Sequence, residues 1–326
     1  MTFARARARS NIALVKYWGK RDARLNLPAT GSISLTLSSM HTTTSVSLDS
    51  SLDHDEIITP GTSHSHAFSK RVTEFMDRVR LLTGCHDYAR IETENNFPTG
   101  AGLASSASGF AALALASTKA MGSELPLQPL ADLARQGSGS APRSLLGGLV
   151  EIQPGVSPDG SDFQVNQLLP ATSINLCLVV IVTQKTEKVI GSTEGMERTR
   201  QTSPYYESWL NANKEDLKAA KVAIERDHFT QLGLVVERSA LAMHALAMSA
   251  RPPVFYWNPV TVALLKKIWQ CKDAGLEGFL TIDAGPQVKV LCRPSVALLW
   301  KEALSEVQGV EDIWVEHPGE GAELLS

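Results

Sequence analysis

The chain has 326 residues, of which 43% are hydrophobic and 20% are charged, and its formal net charge is −3. This composition is typical of a packed globular protein with one large domain or two fused ones. The small negative charge gives no reason to expect nucleic acid as a partner. No apolar run approaches the roughly 20 residues of a membrane-spanning helix, so we expect no membrane association. The scattered cysteines lack metal-ligand spacing and predict reduced thiols in a cytoplasmic protein.

Near its beginning the chain has two segments in which residue types alternate. Arginines at positions 5, 7 and 9 alternate with alanines, which predicts a strand with one basic face. Apolar residues at 33, 35 and 37 alternate with Ser or Thr, which predicts a half-buried strand. Apolar residues between Phe68 and Leu82 follow helical spacing and predict an amphipathic helix, and residues 88–93 are typical of a strand.

The rest of the chain alternates less regularly between strand and helix patterns. An Ala/Leu-rich segment over 105–120 predicts a helix buried on all sides, and 176–182 predicts a strand buried on both faces. We then expect helices over 205–227, 229–250, 259–274 and 294–305, a hairpin of 278–282 with 287–292, and a last strand at 313–315. Strands and helices in mixed order predict an α+β fold.

The segment Pro98–Gly109 reads PTGAGLASSASG and precedes the predicted buried helix. Its glycines let the backbone come close to a ligand, and its serines can cap the helix. The helix would direct unpaired N–H groups and its positive dipole end at the loop, which predicts a phosphate site. The common P-loop pattern G-x-x-x-x-G-K-[ST] is absent from the chain. A purely structural Gly/Ser turn is the alternative interpretation.

Four further segments stand in a fixed order with this loop: Ser10–Asp22, Asn95–Pro98, Gly137–Gly148 and Ile282–Pro286. In these segments, which span nearly its whole length, the chain resembles the diphosphomevalonate decarboxylases of the GHMP kinase superfamily. The resemblance implies two α+β lobes, the first like ribosomal protein S5 domain 2, with the active site in the cleft between them. We place the boundary so that 1–175 is the ATP-binding domain and 176–326 the decarboxylase domain.

The resemblance also implies roles for individual residues. Asp283 would be the catalytic aspartate facing the substrate's C3 hydroxyl, and Lys16 would favour its ionised form. Arg143 would grip the substrate carboxylate bidentately, and Asn11 would approach the same carboxylate. Without the resemblance, a turn-forming aspartate and solvated surface cations are the simpler interpretations.

The remaining implied sites bind phosphates. The substrate's diphosphate tail would be held by Tyr17, Lys20, Ser138, Ser140 and Ser192. ATP and Mg²⁺ would lie over the loop, with Ser105 and Ser106 nearest the phosphates or the metal. The expected nucleotide-binding residues are Pro98, Gly100, Ala101, Gly102, Leu103, Ala104, Ser105, Ser106, Ala107 and Ser108.

The implied function is the ATP- and Mg²⁺-dependent decarboxylation of mevalonate 5-diphosphate to isopentenyl diphosphate by a cytoplasmic homodimer. Two departures from the family pattern are Pro142, where Cys or Ser is more usual, and Thr193, where many relatives carry Arg. The missing Arg leaves a monophosphate substrate open. A kinase that stops at the 3-phosphate and a nucleotide-sensing protein without chemistry are the alternatives; Arg143 and Asp283 argue for the decarboxylase.

Overall fold

The computed structural model describes residues 2–61, 63–97, 105–186 and 189–326. The strands are β1 Phe3–Val15, β2 Lys20–Asp22, β3 Leu27–Pro28, β4 Ser32–Asp49, β5 Glu56–Ile58, β6 Tyr88–Asn95, β7 Leu149–Gln153, β8 Gln164–Leu169, β9 Cys177–Val182, β10 Phe279–Ile282, β11 Val288–Cys292, β12 Asp312–Glu316 and β13 Glu323–Leu325. The helices are α1 His66–Thr83, α2 Ser105–Ala120, α3 Leu127–Gly137, α4 Ala141–Leu145, α5 Ser192–Thr202, α6 Tyr206–Glu225, α7 Phe229–Met248, α8 Pro259–Asp273 and α9 Ala297–Ser305.

The first sheet is built on the long antiparallel pair of β1 and β4, in the order β13-β1-β4-β6-β5, with β7 on β4 and β8 on β7. Ala4, Ala6 and Ala8 of β1 are buried in the same core as α1, α2 and α3. Arg5 is exposed and Arg7 and Arg9 are half-buried, which confirms the predicted basic face. Helix α2 is buried along most of its length, as predicted.

The second sheet has the order β10-β11-β9-β12 and is antiparallel throughout. Strand β9 lies between two cores. Its residues 177, 179 and 181 pack with α8 and α9, whereas 178 and 180 pack with α6, α7 and the strands β1 and β4. This alternation confirms the prediction of a strand buried on both faces. It also joins the two sheets through one shared apolar core.

Two expectations from patterning are wrong. The start of β4 is buried on both faces: Ile33 packs in the shared core, while Ser32 accepts a hydrogen bond from Arg143 at 2.7 Å. Thr36 donates to the Leu146 carbonyl at 3.0 Å, whereas the buried Ser34 hydroxyl has no hydrogen-bond partner among the described residues. Two of these three buried polar side chains are therefore satisfied by hydrogen bonds. In α1, Leu82 is 53% exposed, since the buried face ends at Val79.

The structure confirms the α+β class. The hairpin β10–β11, helices α6, α7, α8 and α9, and strands β6 and β12 lie within a few residues of their predicted positions. The terminal strand β13 returns to pair with β1 in the first sheet. In the described part of the chain, we find no helix that combines the length and the apolar character required to cross a bilayer.

Candidate active site

Asp283 and Lys16 form an ion pair across the two sheets. Asp283 follows the last residue of β10 in the turn to β11, and Lys16 follows the last residue of β1. Lys16 Nζ lies 2.6 Å from Asp283 Oδ1 and donates a second hydrogen bond to the Ala13 carbonyl at 2.7 Å. The lysine side chain is 1% exposed and the aspartate side chain 20% exposed. The structure therefore brings together two residues that the sequence places 267 positions apart.

Lys289 is a second cation on the same carboxylate, and sequence reasoning missed it. Its Nζ lies 3.1 Å from Asp283 Oδ2, and the side chain is fully buried. Burial acts to raise the pKa of Asp283, but Lys16 and Lys289 outweigh it and hold that pKa well below its usual range. Burial also lowers the pKa of Lys16 to about 8, although Asp283 opposes the shift. Asp283 is therefore ionised at neutral pH.

The backbone of Lys16 is fixed by two helices. Its N–H donates to Ser239 Oγ on α7 at 3.0 Å, and its carbonyl accepts from Asn213 Nδ2 on α6 at 3.0 Å. His244, also on α7, is buried near the pair. Burial and the nearby Lys16 charge lower the pKa of His244 to about 3, so this imidazole is neutral. The Lys16 backbone is therefore held by α6 and α7, and His244 of α7 adds no charge beside the Lys16–Asp283 ion pair.

Arg143 and Asn11 form a second buried unit. Arg143 Nε donates to Asn11 Oδ1 at 2.8 Å and Nη1 donates to Ser32 Oγ at 2.7 Å. Asn11 Nδ2 in turn donates to Ser144 Oγ at 2.7 Å. The bonds to Asn11 and Ser32 use two of the five N–H donors of the guanidinium, which leaves donors for a planar anion. Burial lowers the pKa of Arg143 to about 10, so it is charged at neutral pH.

The segment around Pro142 forms a short helix. Helix α4 begins at Ala141, so the proline lies in its first turn. The N–H groups of a first turn have no acceptor within the helix, and proline is tolerated there. The departure from the family pattern at this position therefore removes no helical hydrogen bond.

Hydroxyl groups connect the start of α2 with the Gly/Ser segment before α4. Ser138 Oγ lies 3.3 Å from Ser106 Oγ and 3.3 Å from Ser140 Oγ. The Tyr17 hydroxyl is buried and has no hydrogen-bond partner among the described residues. A Cβ at Gly139 would lie 2.5 Å from this hydroxyl, so the glycine is needed for the approach. Burial raises the pKa of Tyr17, which therefore remains a donor.

Lys20 and Arg71 are two cations whose charges interact. Lys20 Nζ is 3.3 Å from Thr193 Oγ1 in the first turn of α5, which begins at Ser192. Burial lowers the pKa of Lys20 to about 8, and the charge of Arg71 contributes to the shift. Sequence reasoning missed Arg71, a residue of α1 whose Nη2 donates to the Gly137 carbonyl at 3.1 Å. Two cations so close together are suited to a multiply charged anion.

The expected nucleotide loop falls partly outside the described residues: Pro98, Gly100, Ala101, Gly102, Leu103 and Ala104 are not described. Ser105 and Ser106 open α2, whose first four N–H groups have no intrahelical partner. Ala107 is buried, and the buried Ser108 hydroxyl lies 2.7 Å from Thr42 Oγ1. The side chains of Ala107 and Ser108 therefore belong to the core, whereas those of Ser105 and Ser106 are not fully buried.

Mg²⁺ prefers oxygen ligands and keeps substrate phosphates and waters in its shell. In the described ranges no group of three or more His, Cys, Asp or Glu side chains could hold a metal. The serine hydroxyls at the start of α2 therefore fit a Mg²⁺ ion that is coordinated mainly by nucleotide phosphates, and not one that is coordinated by protein side chains alone.

Two family descriptions match the chain. The diphosphomevalonate decarboxylase-like N-terminal domain matches residues 8–163, and the mevalonate 5-diphosphate decarboxylase C-terminal domain matches residues 177–317. The chain belongs to the diphosphomevalonate decarboxylase family. A relative named diphosphomevalonate decarboxylase from Aspergillus fumigatus is 37% identical over 301 residues, which cover 86% of this chain and 74% of the relative.

Solved structures of this decarboxylase family share the whole fold. A structure described as MDDEF in complex with MVAPP, AMPPCP and magnesium has a TM-score of 0.92 and 37% identity, covering 100% of this chain and 99% of its own. Mevalonate diphosphate decarboxylase from Staphylococcus aureus has a TM-score of 0.92 and 36% identity, covering 100% of this chain and 98% of its own. These matches confirm the predicted two-lobed GHMP-kinase-like fold.

Proposed function

We propose that this chain catalyses the ATP-dependent decarboxylation of (R)-5-diphosphomevalonate to isopentenyl diphosphate, with ADP, phosphate and CO₂ as the other products. The observation that carries the proposal is the position of Asp283 between Lys16 and Lys289, in the electrostatic range of Arg143. A carboxylate that orients a hydroxyl and a guanidinium that holds a carboxylate are the two groups the reaction needs. The relative bound to MVAPP, AMPPCP and magnesium supports the same substrates.

In the first step, Asp283 accepts a hydrogen bond from the C3 hydroxyl and aligns its oxygen with the γ-phosphorus of ATP. Because its pKa is well below the usual range, Asp283 orients the alcohol more than it deprotonates it. Phosphoryl transfer does not need an alcohol that is deprotonated beforehand, since its transition state is loose and depends on positioning and charge stabilisation. The hydroxyl proton moves to Asp283 only late in this step, because the forming O–P bond makes that proton far more acidic than it is in the free alcohol.

In the second step, the C3–O bond to phosphate breaks and the C–C bond to the carboxylate supplies electrons for the alkene. Alkyl substituents and the nearby anionic phosphates stabilise the positive charge that develops at C3. Arg143 holds the carboxylate while this happens, and its planar fork fixes the direction of the breaking bond. Asn11 keeps the guanidinium in place through the 2.8 Å hydrogen bond to Nε.

The diphosphate tail lies, in this proposal, against Tyr17, Lys20, Ser138, Ser140 and Ser192. Arg71 adds a cation next to Lys20, and so compensates for Thr193 where many relatives carry Arg. The two cations support a diphosphate over a monophosphate, because the second phosphate brings the additional charge that they neutralise.

ATP binds over the start of α2 in this proposal, with Ser105 and Ser106 nearest its phosphates. Mg²⁺ supplies charge neutralisation at the phosphate oxygens when it is bound. The Ser106–Ser138 contact of 3.3 Å supports a nucleotide side that lies beside the substrate side of the site. We further propose a cytoplasmic homodimer and the domain division 1–175 and 176–326.

A product assay tests the proposal. Purified protein is incubated with ATP, Mg²⁺ and (R)-5-diphosphomevalonate, and the products are followed by ³¹P NMR and mass spectrometry. We expect isopentenyl diphosphate, ADP and free phosphate in equal amounts, and no product after chelation of the metal. Accumulation of a stable 3-phosphate would show a kinase instead, and no consumption of ATP would show a binding protein.

A further inference from the structure

Lys289 lies in the middle of β11, between Val288 and Val290, and pairs with Thr281 on β10 and with Val180 on β9. All of these neighbours are fully buried, and so is the lysine. Transfer of an ammonium group into such an interior costs several kcal/mol unless a partner compensates it. Lys289 forms an ion pair with Asp283, with 3.1 Å between Nζ and Oδ2.

Asp283 does not need this second cation for neutrality, because Lys16 already pairs with it. The charged or titratable groups that face Asp283 are Lys16 after β1, Lys289 on β11, Arg143 on α4 and His244 on α7. The histidine is neutral, so three cations of the described residues act on this one carboxylate. If position 289 served stability alone, an apolar residue there would cost less free energy of folding than a buried lysine.

We propose that Lys289 is a positioning residue that fixes the second oxygen of the Asp283 carboxylate and so holds the plane of this group in the orientation that the substrate hydroxyl requires. This inference rests on the proposed function. A carboxylate held at one oxygen can still turn about its Cβ–Cγ bond, which has a broad torsional minimum. An ion pair at each oxygen removes that freedom. Each oxygen keeps a lone pair for a further hydrogen bond.

The geometry separates this role from direct contact with substrate. Because Lys289 is fully buried behind Asp283, its loss should change the turnover number and leave substrate affinity nearly unchanged. Lys289→Met keeps the length and volume of the side chain and removes its charge. We expect kcat to fall at least ~10-fold, since misplacing a reacting group by about 1 Å can cost ~10²-fold, and KM for diphosphomevalonate to change less than ~3-fold.

The titration of Asp283 gives a readout that a purely structural role of Lys289 would not change. Lys289 is one of the two cations that hold the pKa of Asp283 low, so its removal raises that pKa. The midpoint of the Asp283 carboxyl titration should therefore move to higher pH in Lys289→Met, by about one unit, the lower end of the effect of an adjacent charge. Lys289→Arg keeps the charge and should keep this midpoint near its wild-type position.

Lys272→Met is the matched control. Lys272 lies on α8 with Nζ 2.8 Å from Glu237 Oε2, and it is a partly buried lysine outside the site. We expect wild-type kcat and an unshifted Asp283 titration midpoint. An Lys289→Met enzyme with kcat within ~2-fold of wild type and an unshifted midpoint would overturn the inference, because it would show that Lys16 alone positions the carboxylate.

A direct titration keeps the inference testable without turnover. The carboxyl carbon of Asp283 is followed by ¹³C NMR in the wild type and in Lys289→Met, or in Lys289→Gln if the Met variant does not fold. A midpoint raised in the variant supports the ion pair, and equal midpoints overturn it. If the wild type releases no CO₂, the proposed function fails, and this titration still decides whether Lys289 acts on Asp283.

Discussion

Replacement of Asp283 by Asn tests the site most severely, because it removes the one anion that Lys16 and Lys289 share. The amide cannot accept from both lysines with the strength of a carboxylate, and two ammonium groups remain buried 2.6 and 3.1 Å from its position. Removing one partner of a buried ion pair typically costs about 3–5 kcal/mol. Part of this is relieved as Lys16 releases its proton, because its pKa of about 8 falls further without Asp283.

We expect kcat to fall at least ~10²-fold, the low end for a positioned acid–base group, which corresponds to about 2.7 kcal/mol of transition-state stabilisation. The assay measures ADP by a coupled enzyme reaction and CO₂ by trapping, beside ATP affinity by calorimetry and thermal unfolding. ATP affinity should change little, because Asp283 lies in the β10–β11 turn rather than at the start of α2.

Asp227→Asn is the matched control. Asp227 is 87% exposed and pairs with Arg293 at 3.2 Å, so its loss should cost less than about 1 kcal/mol and leave kcat unchanged. Asn also tolerates the positive φ of 45° found there. A folded Asp283→Asn protein that keeps most of the wild-type kcat would refute the assignment of this carboxylate.

Three further outcomes follow from the site. Ser106→Ala should lower kcat and weaken ATP binding with the fold unchanged, and normal ATP kinetics would make the Ser106–Ser138 contact purely structural. Arg143→Gln should greatly reduce CO₂ release, and Arg143→Lys should reduce it substantially because the planar fork is lost; near-normal release from Arg143→Gln would direct attention to Asn11. The alkaline limb of kcat/KM should fall near pH 8, since burial lowers the pKa of Lys16 and Lys20 to about 8 and both act when protonated; a profile flat to about pH 10, the usual lysine range, would contradict this.

Local sequence patterns predicted the elements whose stability is local. The apolar helix α2, the hairpin β10–β11 and helices α6, α7 and α8 follow from periodicity and from turn residues. Helix α4 was missed because a proline after a Gly/Ser segment is typical of a loop, and the bond from its Arg143 to Asn11, 132 positions away, leaves no local signal. Strand β13 was missed because, among the described strands, it pairs with the distant β1.

The site residues, like the fold elements, could be predicted only in part from the sequence. Motif resemblance identified Lys16 and Asp283, and the structure brings them to 2.6 Å. Lys289 was missed although a charged residue inside an otherwise apolar strand was a usable signal. Arg71 gave no such signal, because an arginine on the polar face of an amphipathic helix is normally solvated. Its position beside Lys20 depends on how α1 packs against α3, which no local pattern specifies.

The most direct test is to incubate the protein with ATP, Mg²⁺ and, separately, mevalonate, its 5-phosphate and its 5-diphosphate, and to measure ADP and CO₂ in the same samples. The account predicts equal amounts of ADP and CO₂ with the 5-diphosphate and far slower turnover of the other two, because in the proposed site Lys20 and Arg71 neutralise the charge of the second phosphate. ADP without CO₂, or faster turnover of the 5-phosphate than of the 5-diphosphate, would contradict it.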